Sequence, residues 1–65
     1  MIHLKDTWGK NIKLTNTMNN VFVGFVENYT DRLNDPEEKD NIVLRINHKP
    51  YIFYEDEIKN IEILS

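Results

Sequence analysis

The sequence predicts an all-β fold, a small five-stranded barrel with a short N-terminal helix, from three observations. Several short segments alternate apolar and polar residues, as half-buried strands do. The longest β-rich run, residues 20–29, carries Gly24 at its centre, and a glycine inside a strand marks a bend or a close backbone approach. A short acidic segment, residues 55–57, separates the last two strands. The 65 residues suffice for one domain, residues 1–65, near the lower size limit for independent folding.

The N-terminal element is predicted from the spacing of two apolar side chains. Leu4 and Trp8 are four residues apart, which places them on one face of a helical turn. Gly9 follows, and glycine commonly ends a helix. We therefore predict a short helix over residues 4–9 that covers one end of the barrel, with Trp8 as its anchor in the core.

The strands are predicted over residues 11–15, 20–29, 41–46, 51–54 and 60–64. Alternation turns Ile12 and Leu14 inward in the first strand, and Ile42, Leu44 and Ile46 inward in the third. Polar residues 16–20 predict a hairpin, and the acidic residues 30–40 predict a solvated loop. Residues 55–57 suit a single helical turn, followed by Ile58 as a plug.

The second strand is apolar on both faces. The residues at even positions, Phe22, Gly24 and Val26, lie on one face, and those at odd positions, Val21, Val23 and Phe25, lie on the other. One set should face the core. The other set is exposed unless a second element or a second chain covers it, and such a patch calls for a partner.

Charge and composition limit the function classes. The net charge of −3 disfavours a protein whose main task is to grip a phosphate backbone. The chain has no cysteine, so it has neither disulfides nor thiolate metal sites. No apolar run is long enough to span a membrane, and the first residues lack the layout of a signal peptide. We therefore expect a cytoplasmic protein with no membrane partner.

The order of these elements resembles the SH3-like small barrels, and most closely the Sm-like (LSM-like) branch. It is also similar to short uncharacterised bacterial proteins that end in phenylalanine, tyrosine, acidic residues and a closing apolar strand, as residues 53–64 do. The residues that match the first Sm-like motif are Ile12, Leu14, Phe22, Gly24, Val26 and Tyr29.

The resemblance implies the fold but carries no RNA-binding residue over to this chain. Sm-like proteins that hold RNA use an asparagine in the loop after the second strand and an arginine-glycine pair after the fourth. Here that loop is acidic, and Asn34 lies outside any version of the motif. At the place of the arginine-glycine pair, after the fourth strand, this chain has Tyr54-Glu55-Asp56, with neither arginine nor glycine.

We predict a small non-catalytic interaction module, with a protein partner or self-association through a face or a strand edge. The candidate binding residues are Val21, Val23, Phe25, Tyr29, Tyr51 and Tyr54. An alternative is nucleic-acid binding, in which these tyrosines stack on bases beside Lys13, Arg45 and Lys49. Packing in the core with the hydroxyls reaching solvent is the commoner role of such tyrosines.

A second alternative is a metal-responsive module built on the acidic loop. Its weak candidate ligands are Asp31, Asp35, Glu37, Glu38 and Asp40, oxygen donors of the kind that Ca²⁺ takes. Their spacing matches no known calcium loop, and the glycine of such loops is absent.

No catalytic residue and no cofactor is predicted. The acids at residues 55–57 suit the capping of a turn better than acid–base chemistry. His3 and His48 have no second histidine or cysteine at metal-ligand spacing, and we expect both at the surface.

Overall fold

The computed structural model describes residues 3–65 and contains one antiparallel sheet of five strands in the order β4-β3-β2-β1-β5. The strands are β1 (Asn11–Asn16), β2 (Val21–Thr30), β3 (Asn41–Ile46), β4 (Lys49–Tyr54) and β5 (Ile58–Ile63). The predicted all-β class is confirmed. Within the described residues the sheet is not closed, because β4 and β5 are its two edges and no ladder joins them.

The predicted strand boundaries differ from the observed ones mainly near the C-terminus. Strand β4 begins at Lys49 rather than at residue 51, so Pro50 lies inside it. A proline is tolerated there because β4 is an edge strand, where a missing N–H leaves no ladder partner unsatisfied. Strand β5 begins at Ile58, so this residue is the first of the strand rather than a separate plug. It is half-buried and packs against the core.

The core lies on one face of the sheet, as alternation predicts. The inward residues of β1 and β3 are buried as expected, and Ile46 is partly buried against them. The buried core residues are Ile12, Leu14, Val26, Ile42, Leu44, Phe53 and Ile61. Apolar side chains from all five strands thus leave water together, which is the main stabilising contribution in a domain of this size.

Gly24 allows β3 to approach the backbone of β2. A Cβ at this position would collide with the carbonyl oxygen of Arg45 and would meet side-chain atoms of Ile46 and Leu44 at 3.0 and 3.1 Å. The N-terminal part of β2 pairs with β1, and its C-terminal part pairs with β3. The predicted role of Gly24 as the site of a close backbone approach is therefore confirmed.

A β-bulge changes which side of the sheet the end of β2 presents. Val26 pairs with Leu44, but the next pair is Asn28 with Val43, so one extra residue, Glu27, is inserted. Strict alternation would place Tyr29 on the same face as Phe25. The inserted residue reverses the alternation, and Tyr29 packs against the core instead.

The N-terminal element is a 3₁₀ turn, Leu4–Thr7, and the predicted position of Trp8 is wrong. A 3₁₀ turn has three residues per turn, so Leu4 shares a face with Thr7 rather than with Trp8. Thr7 is fully buried and donates its hydroxyl to the carbonyl of Leu4 at 2.7 Å. Trp8 is 53% exposed, and its ring lies on Tyr29 with the ring centroids 6.2 Å apart. Gly9, at φ +80°, ends the element as predicted.

The connections follow the turn chemistry of their residues. The predicted hairpin after β1 forms around Asn16, whose Oδ1 accepts hydrogen bonds from the backbone N–H groups of Met18 and Asn20. The acidic loop contains a 3₁₀ turn, Arg32–Asn34, and the segment between β4 and β5 forms the predicted single turn, Glu55–Glu57. The part of the chain that the structure describes has no helix with the length and apolarity that a membrane crossing requires.

Candidate protein-interaction surfaces

The outward face of β2 carries three exposed apolar side chains, which we call the outer strip. Val21 is 54% exposed, Val23 53% and Phe25 41%. They follow one another at alternate positions, so they lie on one side of the sheet. The structure thus brings together three of the six predicted binding residues and leaves them uncovered.

Polar neighbours flank the outer strip on β1. The register places Thr15 opposite Val21 and Lys13 opposite Val23. Lys13 in turn faces Glu62 on β5, so both signs of charge lie beside the strip.

On its other side the strip reaches an ion pair and a second apolar surface. Phe25 lies opposite Arg45, whose guanidinium donates to a carboxylate oxygen of Glu27 at 2.7 Å and to the carbonyl of His48 at 3.0 Å. Arg45 is paired across the sheet with Pro50, and Ile52, two residues further along β4, is 56% exposed. Apolar surface therefore extends from β2 toward the edge of the sheet.

The three predicted tyrosines do not join the outer strip. Tyr29 packs on the core side beneath Trp8. Tyr51 pairs with Leu44 on β3 and is 45% exposed, whereas Tyr54 is half-buried opposite Asn41 at the end of β4. The burial of Tyr54, followed by the carboxylates of Asp35 and Glu37, raises its pKa. Acidic groups therefore surround Tyr54, where a base-stacking surface needs cations.

The raised pKa of Tyr29 predicts that the folded state loses stability at alkaline pH. Burial is the largest cause, followed by the negative charges of Asp40 and Asp31. Because the pKa is higher in the folded state than the usual 10.0, the unfolded chain ionises first as the pH rises. This contribution to stability is complete below about pH 10 and is lost as the pH rises through the folded-state pKa.

We expect Tyr29→Phe to lose less stability than the wild type between about pH 9 and about pH 11, since phenylalanine cannot ionise. Urea unfolding at both pH values measures the difference. An equal loss of stability in both proteins would contradict this role of Tyr29.

Three of the predicted metal ligands instead hold the acidic loop in shape. Asp31 accepts hydrogen bonds from the backbone N–H groups of Leu33 and Asn34 at 3.1 and 3.2 Å. The carboxylate of Asp35 accepts hydrogen bonds from backbone N–H groups further along the loop, and that of Asp40 accepts one from the N–H of Arg32 at 2.8 Å. Glu37 and Glu38 are exposed. Residues 3–65 contain no group of three or more side chains placed to hold a metal ion.

The acids between β4 and β5 also have structural partners. Glu57 accepts a hydrogen bond from the backbone N–H of Tyr54 at 3.2 Å, which caps the turn as predicted. Asp56 forms an ion pair with Lys39 at 2.8 Å and so ties this turn to the acidic loop. His3 and His48 are both exposed.

A cleft of about 540 Å³ was not foreseen from the sequence. It lies between the N-terminal 3₁₀ turn, the first half of β5, and the two points where the chain enters β3 and leaves β4. Leu4, Ile58 and Ile61 supply its apolar lining, and Asp40 and Glu55 supply carboxylates. No local pattern indicates this cleft, because its residues come from four separate segments.

A scan against protein-family models, a search of curated proteins and a search of solved structures returned no significant match.

Proposed function

We propose that this chain is a small non-catalytic interaction module that binds protein through the outer strip, with a second copy of the chain as the occupant. The observation that carries the proposal is the simultaneous exposure of Val21, Val23 and Phe25 on one face. Contiguous exposed apolar surface of this kind marks interaction sites in soluble proteins. Burying it against another apolar surface stabilises the complex by about 25 cal/mol for each Å² removed from water.

The charges beside the strip support a second copy as the partner. Lys13 and Glu62 lie next to each other on the outward face of β1 and β5. In a two-fold contact the same patch meets itself, so Lys13 of one copy can lie against Glu62 of the other without repulsion. The free edges of β4 and β5 offer a further route to self-association.

We further propose that the sheet is an open SH3-like barrel of the Sm-like kind, in a cytoplasmic protein. Three features support this fold assignment: the position of β5 beside β1, the close approach at Gly24, and the 3₁₀ turn between β4 and β5. The absence of cysteine is compatible with a reducing compartment.

The two alternative functions have less support. Nucleic-acid binding requires cations beside exposed rings, but Tyr29 and Tyr54 have acidic neighbours and the guanidinium of Arg45 is held by Glu27. A metal site requires several ligands that converge on one point, and residues 3–65 contain no group of three or more side chains placed in that way.

We expect the wild-type chain to associate as its concentration rises, and Val23→Glu to weaken this association by tenfold or more. The variant places a charge in the centre of the outer strip, where association would have to remove it from water. Within a single chain the new carboxylate lies opposite Lys13, so the fold tolerates it. Light scattering on a sizing column, at several concentrations, measures the mass.

Leu33→Glu is the matched control, because it adds the same charge at an apolar side chain that is 88% exposed and lies outside the sheet, in the 3₁₀ turn Arg32–Asn34. We expect this variant to associate as the wild type does. A wild-type protein that is monomeric at every concentration would rule out the second copy as the partner. If the wild type forms an oligomer and Val23→Glu forms it equally well, the outer strip is not the interface, and a strand edge takes its place.

A further inference from the structure

The cleft beside β5 has an apolar floor. Leu4 and Ile58 are half-buried against the core, and Ile61 is a core residue. The volume of about 540 Å³ lies within the range of small-ligand sites, roughly 300–1,000 Å³. The cleft is half open to solvent, so it suits a side chain that enters from outside better than an enclosed molecule.

Two acidic residues, Asp40 and Glu55, line the cleft. The backbone N–H of Glu55 donates to the carbonyl of Asp40 at 2.9 Å, so the two residues are held next to each other although they are distant in sequence. Neither carboxylate takes part in an ion pair within residues 3–65. After burial, the negative charges of Asp40, Asp31 and Glu55 raise the pKa of Tyr29, so both acidic residues of the cleft act on this tyrosine.

The basic residues that line the cleft, His3 and Lys59, form no ion pair with Asp40 or Glu55 within residues 3–65. Lys59 lines the cleft, but its ammonium donates to Oδ1 of Asn19 at 2.6 Å, on the turn between β1 and β2. His3 is the other basic residue of the lining, and it is exposed. Within residues 3–65 the cleft therefore combines apolar walls with two carboxylates that form no ion pair, and one of them, Asp40, accepts a hydrogen bond from the N–H of Arg32.

The edge of the sheet runs along the same cleft. Residues 58–61 of β5 line it, and within residues 3–65 the strand β5 pairs with β1 alone. The free edge can accept an extended peptide as an additional strand, and side chains of that peptide then reach the surface beside it.

From these four observations we propose that the cleft binds a lysine side chain presented by an extended peptide lying along β5. The aliphatic part of the side chain packs on Leu4, Ile58 and Ile61, and the ammonium lies between Asp40 and Glu55. The inference rests on the proposed role as an interaction module, but it uses a surface separate from the outer strip. Each of the two proposals can therefore fail alone.

The test compares two short labelled peptides by fluorescence anisotropy. Both consist of serine and threonine around a central residue, which is lysine in one peptide and norleucine in the other. Norleucine keeps the aliphatic chain and lacks the ammonium. We expect the lysine peptide to bind about threefold to tenfold more tightly, with the difference shrinking as salt is added. Equal affinity for both peptides, or no binding of the lysine peptide, would overturn the proposal.

The variant Glu55→Gln locates the site. The Glu55 side chain is exposed, so its replacement leaves the fold intact, as circular dichroism can verify. We expect it to remove most of the preference for lysine over norleucine. Glu38→Gln removes the same charge from an exposed residue of the acidic loop that does not line the cleft, and we expect it to keep that preference. If both variants lower the preference for lysine equally, the binding depends on net charge alone and the cleft is not the site.

Two further measurements separate this proposal from its competitors. Amide shifts in an NMR titration should appear at residues 58–61, and shifts confined to Val21 and Val23 would place the peptide on the outer strip instead. Free butylamine is the second probe. If it binds as tightly as the lysine peptide, the peptide backbone contributes nothing and the proposed peptide partner is wrong. Val23→Glu should leave peptide binding unchanged, whatever it does to self-association.

Discussion

Gly24→Ala is expected to lower the free energy of unfolding by about 3 kcal/mol or more. The added Cβ would collide with the carbonyl oxygen of Arg45, which belongs to the backbone of β3 and cannot rotate away. Relief requires β2 and β3 to separate, which disturbs the packing of Leu44 and Ile46. A chain of 65 residues has a total stability of only about 3–10 kcal/mol, so the variant should be largely unfolded or close to it.

Gly9→Ala is the matched control for this prediction. A Cβ at Gly9 meets nothing within 4 Å, but its φ of +80° disfavours residues with a side chain. We therefore expect a loss of about 1 kcal/mol, from backbone conformation alone. Urea unfolding of both variants measures the difference. If Gly24→Ala is no less stable than Gly9→Ala, the close approach of β3 to β2 does not constrain this position.

Leu14→Ala is expected to cost about 3 kcal/mol, in the middle of the range for buried leucines. Leu14 is fully buried in β1, between Phe22 of β2 and Ile61 of β5. Its truncation removes apolar contacts on both sides and leaves a cavity that the ladders prevent from closing. Urea unfolding measures the loss as a lower midpoint at an unchanged slope.

Leu33→Ala controls for the chemistry of the substitution. Leu33 is 88% exposed in the acidic loop, and we expect its truncation to change stability by less than about 0.5 kcal/mol. Where Leu14→Ala does not fold, Ile12→Val at the adjacent inward position should cost about 1 kcal/mol and keep the test measurable. Equal losses in Leu14→Ala and Leu33→Ala would contradict the assignment of the core.

Much of the fold can be predicted from the sequence because alternation acts within a single strand. In β1 and β3 the period of two places Ile12, Leu14, Ile42 and Leu44 on one face, and all four are buried. A similar local argument identifies Gly24, since glycine within an apolar run has few other uses. The sequence also predicts that one face of β2 is exposed, because one strand cannot turn both faces toward a single small core, and the structure shows that it is the face of Val21, Val23 and Phe25.

The position of Trp8 differs from the prediction because of the geometry of the N-terminal turn. Trp8 was assigned to the core from a four-residue spacing, but the turn is a 3₁₀ turn and buries Thr7 instead. The tighter turn changes which residues share a face, and the spacing of Leu4 and Trp8 does not reveal that the chain adopts it.

The existence of five strands, the inward residues of β1 and β3 and the presence of one exposed apolar face on β2 can be predicted from the sequence, because each depends on residues two positions apart. The bulge at Glu27, which turns Tyr29 toward the core, is visible only in the folded structure. The same is true of the backbone hydrogen bond that joins Asp40 to Glu55 at the cleft. Both depend on which backbone groups meet across the fold. That register is set by the packing of the whole chain, so no local pattern of residues contains it.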